Sequence, residues 1–290
     1  MASSSISAKE AEDESTKLPN WLELPIEITA NILGRLDTID IVTNVCHVCP
    51  LWWNICKEPL IWRTIQMINI RNSPYDLVKI CHYAIERSCG QLEDIGIEGF
   101  ATDDLIKFIA ENGSHLRRMQ LIVCREISEK GMIEVPNQFP LLEELDILYS
   151  ENLSMNFLEV IGQYCPLLKS LIFSRNYYRT CDDEAIAVGK TMTELHHLKI
   201  HGNVLTDEGL VAILDGCPLL ESLELQKFHR LEFTDNLKKR CHDQIKFLCL
   251  PNVKASSYND DYDCWKNFYG ENSNDDTNSE YCCDYEDDDF

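Results

Sequence analysis

Leu220-Glu221-Ser222-Leu223-Glu224-Leu225 is one copy of a six-residue pattern, L-x-x-L-x-L with aliphatic substitutes, that recurs seven times along this 290-residue chain. The other copies are Leu92/Ile95/Ile97, Leu116/Met119/Leu121, Leu142/Leu145/Ile147, Leu168/Leu171/Phe173, Leu195/Leu198/Ile200 and Ile245/Leu248/Leu250. From first apolar residue to first apolar residue, the steps are 24, 26, 26, 27, 25 and 25 residues. Within Leu223-Glu224-Leu225 the side chains alternate, which predicts a short strand with the leucines on one face. A constant period of this size marks a stacked-repeat architecture. One unit cannot bury its apolar face alone, and the next unit supplies the missing partner.

Between the strands lie helix-like segments with start and stop signals. Thr102-Asp103-Asp104 and Thr206-Asp207-Glu208 place a hydroxyl and then acids at a helix N-terminus, where they meet free backbone N–H groups and the positive end of the helix dipole. Asn112-Gly113, Cys165-Pro166 and Gly216-Cys217-Pro218 mark the far ends. With the Cys-Pro-Leu-Leu starts at Cys165 and Cys217, Cys124 after a strand, and the Leu-Thr-Asp-Glu-Gly-Leu segment from Leu205, residues 89–251 resemble the cysteine-containing class of leucine-rich repeats. The resemblance implies an α/β fold, a right-handed horseshoe of about seven short repeats. Val135-Pro136 should shorten the second helix, because proline lacks the N–H that a helix interior needs. The stretch Gln226–Thr234 reads as an irregular insert.

Residues 21–65 have a different texture. Pro25 suits a first helical turn, Ile28, Ile32 and Leu36 follow at steps of four, and Asp40 is placed to cap a second helix bearing Ile41, Val45 and Val48. So small a helical unit cannot bury all its apolar residues and should lean on a partner. The strings Leu24-Pro25-x-Glu27-Ile28, Ile32-Leu33-x-x-Leu36, Val48-Cys49-x-x-Trp52 and Leu60-x-Trp62 resemble the F-box, with Thr38–Ile41 departing from the usual Pro-x-Lys-Asp-Leu turn. The resemblance implies docking onto a Skp-type adaptor, and through it a cullin-RING complex, by Leu24, Pro25, Ile28, Leu33, Leu36, Val48 and Trp52. It leaves open which of these touch the adaptor and which form the module's own core. Residues 66–88 read as a connecting segment or a degenerate first repeat.

In such a horseshoe the residues between the strand leucines line the concave face. Adjacent strands lie ~4.8 Å apart, so seven rows span on the order of 30 Å, enough for a peptide or a small domain face. Ile122, Leu148 and Ile172 place apolar side chains on adjacent rows, with Arg118 two rows before Ile172 and the basic row His197, Lys199, His201 just after it. The expected target segment is partly apolar and partly acidic, although Glu144 and Asp146 add a competing negative spot. A flanking helix or the chain's own acidic tail covering these positions is the equally weighted alternative.

Composition narrows the functional classes. The net charge is −23, of which −11 lies in Asn259–Phe290, so neither nucleic acid nor an anionic membrane surface is an expected partner. The leader, residues 1–20, lacks an apolar core and reads as disordered, not as an export signal. The tail, residues 252–290, is too acidic to fold alone, and its mixture of acids and aromatics resembles plant members of the same set. The fourteen cysteines are therefore expected as reduced, mostly buried thiols in nucleus or cytoplasm. Cys46-His47-Val48-Cys49 has no second pair at zinc-finger spacing, and no phosphate loop, nucleophile elbow or dinucleotide fingerprint is present. No cofactor, metal or catalytic residue is expected. The reading is a substrate-recognition adaptor of an SCF-type ubiquitin ligase. The alternatives are a repeat scaffold with no role in degradation, or a small-ligand sensor.

Overall fold

A computed structural model of the chain describes residues 23–68, 73–149, 152–174, 182–201, 205–226 and 231–249. The leader, residues 1–20, and the tail, residues 252–290, lie outside the described residues, as do residues 227–230 of the insert Gln226–Thr234. The helical module and the repeats belong to one compact unit.

The module begins with α1 (Ile26–Leu33), α2 (Thr38–Thr43) and α3 (Pro50–Ile55), with 3₁₀ turns at Val45–His47 and Pro59–Trp62. Pro25 and Pro50 sit where a helix's first N–H groups have no internal partner, so their missing donor costs little. The repeats follow as a strand-and-helix alternation: β1 (Thr64–Met67), α4 (Leu77–Arg87), β2 (Asp94–Glu98), α5 (Asp103–Asn112), β3 (Arg118–Ile122), α6 (Glu129–Glu134) and β4 (Glu144–Leu148). They continue through α7 (Met155–Tyr164), β5 (Ser170–Ser174), α8 (Asp183–Thr191), β6 (His197–His201), α9 (Asp207–Gly216), β7 (Ser222–Gln226), α10 (Asp235–Gln244) and β8 (Phe247–Cys249).

All eight strands form one parallel sheet in sequence order. The register advances one repeat at a time: Ile95 lies beside Met119, then Leu145, Leu171, Leu198, Leu223 and Leu248. Those residues up to Leu223 are buried against the helical layer, together with Leu105, Ile109, Phe157, Ile161, Leu210 and Ile213 from the helices. Complete burial of each such side chain contributes about 1.5–3 kcal/mol, and that sum holds the stack together.

One finding departs from the repeat count read in the sequence. Among the described residues there are eight strands instead of seven, because Thr64–Met67 pairs in parallel with β2 through Ile65 beside Ile95 and Met67 beside Ile97. The segment 66–88 thus holds part of a strand and a complete helix of a first repeat. The expected shortening occurs: α6 stops at Glu134, and Pro136 starts a single 3₁₀ turn, Pro136–Gln138. After β2, β3 and β4 the chain turns through left-handed residues, Gly99, Val123 and Tyr149. Glycine adopts that conformation freely, whereas Val123 is held in it by its N–H bond to the Leu148 carbonyl of the next strand.

Candidate docking face and open sheet face

The module folds around Trp62, which is fully buried and donates its indole N–H to the Cys56 carbonyl at 2.9 Å. Ile41, Val45, Ile55 and Ile61 share that core. Once they are inside, a set of apolar residues remains on the exterior. Pro25, Ile26, Ile28, Leu36, Val48, Trp53 and Leu60 are exposed, with Ile28 at 50%, Val48 at 58% and Leu60 at 63%. Leu24 and Trp52 are half-buried. Large apolar residues concentrated in so short a stretch mark a surface that expects a partner.

The structure separates contact candidates from core. Leu24, Pro25, Ile28, Leu36, Val48 and Trp52 all retain accessible surface. Leu33 does not: it is 1% exposed and packs inside, so its assignment to the adaptor contact is corrected. Five residues at 100° each put Leu33 about 140° around α1 from Ile28, on the other side of the helix, and only coordinates say which side the rest of the chain covers. Ile26 and Trp53 were missed because motif spacing singles out recurring residues and carries no measure of exposure; Leu60 stands in the motif but was left out of the contact set for want of that measure. Trp53 carries the Lys57 ammonium over its ring at 4.9 Å, which orients its indole.

On the repeats, the outward strand positions make an open sheet face. Arg118 is exposed but paired, its guanidinium 3.0 Å from Asp94. Burial pushes the Asp94 carboxyl up, Arg118 pulls it back, and Glu144 pushes it further up. Gln120 bridges the next rows by donating to Asp146 at 3.3 Å. Leu148 and Ile172 are half-buried and reachable. Ile122 is 5% exposed and unavailable to a target, a second correction: it ends β3 between Glu98 and Leu148, just before the left-handed turn at Val123. The basic row is paired with an acid of the next strand. Lys199 lies 3.0 Å from Glu224 in a half-sheltered ion pair, so His197 and His201 stand beside a largely compensated charge. Phe247, at an outward position of the last strand, is 68% exposed beside Ser222.

Among the described residues, no cluster of three or more His, Cys, Asp or Glu side chains could hold a metal ion. No helix there is long and apolar enough to cross a membrane. Cys81, Cys165 and Cys217 are buried with no nearby cation, and burial pushes their thiols up to about 12, the opposite of what a nucleophile or metal ligand needs. Cys165 and Cys217 close α7 and α9, filling space at the helix end where the repeats stack.

Comparison with known proteins agrees with both halves of this description. Residues 21–67 match the F-box-like family. The chain is 40% identical over 273 residues to the F-box protein SKIP19 of Arabidopsis thaliana, covering 91% of this chain and 89% of that protein. It is 42% identical over 248 residues to the putative F-box/LRR-repeat protein 23 of the same plant, covering 81% of this chain and 54% of that one. Among solved structures, the yeast Rad7 and Elc1 complex superposes with a TM-score of 0.50 at 18% identity over 73% of this chain and 55% of the other, a likeness of fold alone. A module with an uncovered apolar face, followed by a stack of strand–helix units, identifies the chain as a member of the F-box/leucine-rich-repeat family.

Proposed function

We propose that this protein is the substrate receptor of an SCF-type ubiquitin ligase. Its helical module docks a Skp-type adaptor, its open sheet face takes the target, and transfer chemistry resides in other subunits. The observation that carries the reading is the uncovered apolar surface of Pro25, Ile26, Ile28, Leu36, Val48, Trp53 and Leu60. Burying it on a partner removes water from seven apolar side chains at once, whereas leaving it bare favours aggregation.

The test is pull-down of a purified Skp-type adaptor by the full chain and by an Ile28→Ser/Val48→Ser variant. The parent is expected to retain the adaptor and the variant to lose it, with circular dichroism of the repeats unchanged. Equal capture by both would remove the assignment. Targets bound by the parent that gain ubiquitin only with an intact docking face favour a ligase receptor over a repeat scaffold.

A further inference from the structure

The docking module is not attached to the repeats by a flexible linker. The 3₁₀ turn Pro59–Trp62 is followed by Arg63 alone before β1 starts at Thr64. The Arg63 carbonyl accepts hydrogen bonds from the Glu93 and Asp94 N–H groups at 2.8 and 3.0 Å, which ties the junction to the next repeat.

Two sets of side chains brace this junction. In the helical layer, Arg87 in the last turn of α4 reaches back and donates from Nη2 to the Lys57 carbonyl just after α3, at 3.1 Å. Its guanidinium also lies 6.0 Å from the Tyr83 ring centre, and Tyr83 meets the buried Trp62 edge-on at 5.8 Å and 87°. The Arg87 Nε is shielded from solvent with no hydrogen-bond partner among the described residues, a desolvation cost that its other contacts must offset. In the sheet layer, the Gln66 N–H of β1 donates to the Thr38 hydroxyl of α2 at 3.0 Å. The Gln66 amide then donates to Asp94 at 3.2 Å, and Asp94 is the partner of Arg118.

A receptor that holds its adaptor on one surface and its target on another presents that target in a single orientation only if the two surfaces keep a fixed relation. Resting on the docking reading above, we infer that Arg87 and Tyr83 are positioning residues: they fix the angle between the adaptor-docking face and the open sheet face. Neither belongs to the F-box motif or to the strand pattern, and α4 could stack on α5 through Ile80, Cys81 and Ala84 without them. Their contacts run toward the module, to Lys57 and Trp62.

The experiment places spin labels, on unnatural amino acids so that the cysteines stay untouched, at the exposed Asn54 and Glu111 of the full chain. Distances are measured by double electron–electron resonance in the parent, in Arg87→Met/Tyr83→Leu and in Arg87→Lys, and adaptor affinity is measured on the unlabelled proteins. The parent should give one narrow distance. The double variant should broaden it at least about twofold while adaptor Kd stays within about threefold, and Arg87→Lys, which can still donate to Lys57, should recover most of the narrowness. An unchanged width in the double variant overturns the inference. So does an adaptor Kd weakened by about tenfold or more, which would make these residues part of the module's own fold. If the parent itself binds no adaptor, the docking reading falls while the width measurement still decides whether the brace exists.

Discussion

Asp103, at the first position of α5, accepts both the backbone N–H and the hydroxyl of Ser128, at 2.7 and 2.6 Å. Ser128 in turn caps α6 by accepting from the Gly131 N–H at 3.1 Å. One carboxylate thus fixes the start of the following helix. Glu129 holds Ser154 in the same way, Asp182 holds Thr206 at 2.8 and 2.6 Å, and Asp207 accepts from the Phe233 N–H at 3.0 Å.

The first prediction follows from that ladder. Asp103→Ala should leave Ser128 without its acceptor and weaken the α6 cap, costing about 1–3 kcal/mol. Gly131→Ala should do similar damage from the other side, since a Cβ there would overlap the Asp103 carboxylate. Urea unfolding measures both. A midpoint unmoved by Asp103→Ala would show that the carboxylate is replaceable by water.

Separating core from contact gives the second prediction. Leu33→Ala should lower stability by about 2–5 kcal/mol, because it empties a packed site, and adaptor binding should fall only as folded protein is lost. Ile28→Ser should do the reverse, leaving the melting temperature within a few degrees of the parent while abolishing capture. Calorimetry paired with adaptor pull-down decides. If Leu33→Ala folds normally yet fails to bind, the assignment of Leu33 to the core is wrong.

The repeat stack was legible in the sequence because its strands obey a two-residue alternation and its helices carry hydroxyl-and-acid starts, both local signals. The first strand escaped for a specific reason. Trp62, Ile65 and Met67 do occupy the L-x-x-L-x-L places, but Trp62 also closes the F-box pattern, and the step from Trp62 to Leu92 exceeds the period of the other units. The candidate sites were less legible. Lys199 reads as a free cation until Glu224, 25 residues away in the chain, is set beside it by the register of β6 and β7. Ile122 alternates outward like Leu148, yet what covers a strand tip depends on chain distant in sequence.

The third prediction concerns the open sheet face. Leu148→Ser and Ile172→Ser remove reachable apolar surface, so they should reduce target capture at a stability cost below about 1 kcal/mol each. Ile122→Ser buries a hydroxyl at a closed site and should instead cost about 1–3 kcal/mol. Lys199→Met/Glu224→Gln removes both charges of the pair, and its effect on capture should vary little with salt because the native charge is already compensated. Capture by that double variant that drops steeply only at low salt would mean that Lys199 acts on the target as an uncompensated positive charge.

The last prediction uses the cysteines and the sign of their shifts. Burial pushes the thiols of Cys81, Cys165 and Cys217 up to about 12 from an ordinary 9.0, so in the folded chain they stay protonated through the range where free thiols ionise. The unfolded chain releases those protons first. Stability is therefore full below about pH 9 and is lost as pH rises from there toward about 12, on the order of 1 kcal/mol per pH unit for each thiol. Lysines and tyrosines titrate in the same window, so the informative quantity is a difference: Cys165→Ala/Cys217→Ala should show a shallower decline of the urea midpoint between pH 8.5 and about 10 than the parent. The same burial governs reactivity. Cys89 and Cys249 are exposed and should be alkylated within minutes at pH 8, while Cys165 and Cys217 should react only under unfolding conditions, as read by peptide mass spectrometry. Early alkylation of Cys165 or Cys217 in the native protein would mean that the ends of α7 and α9 open far more readily than their packing implies.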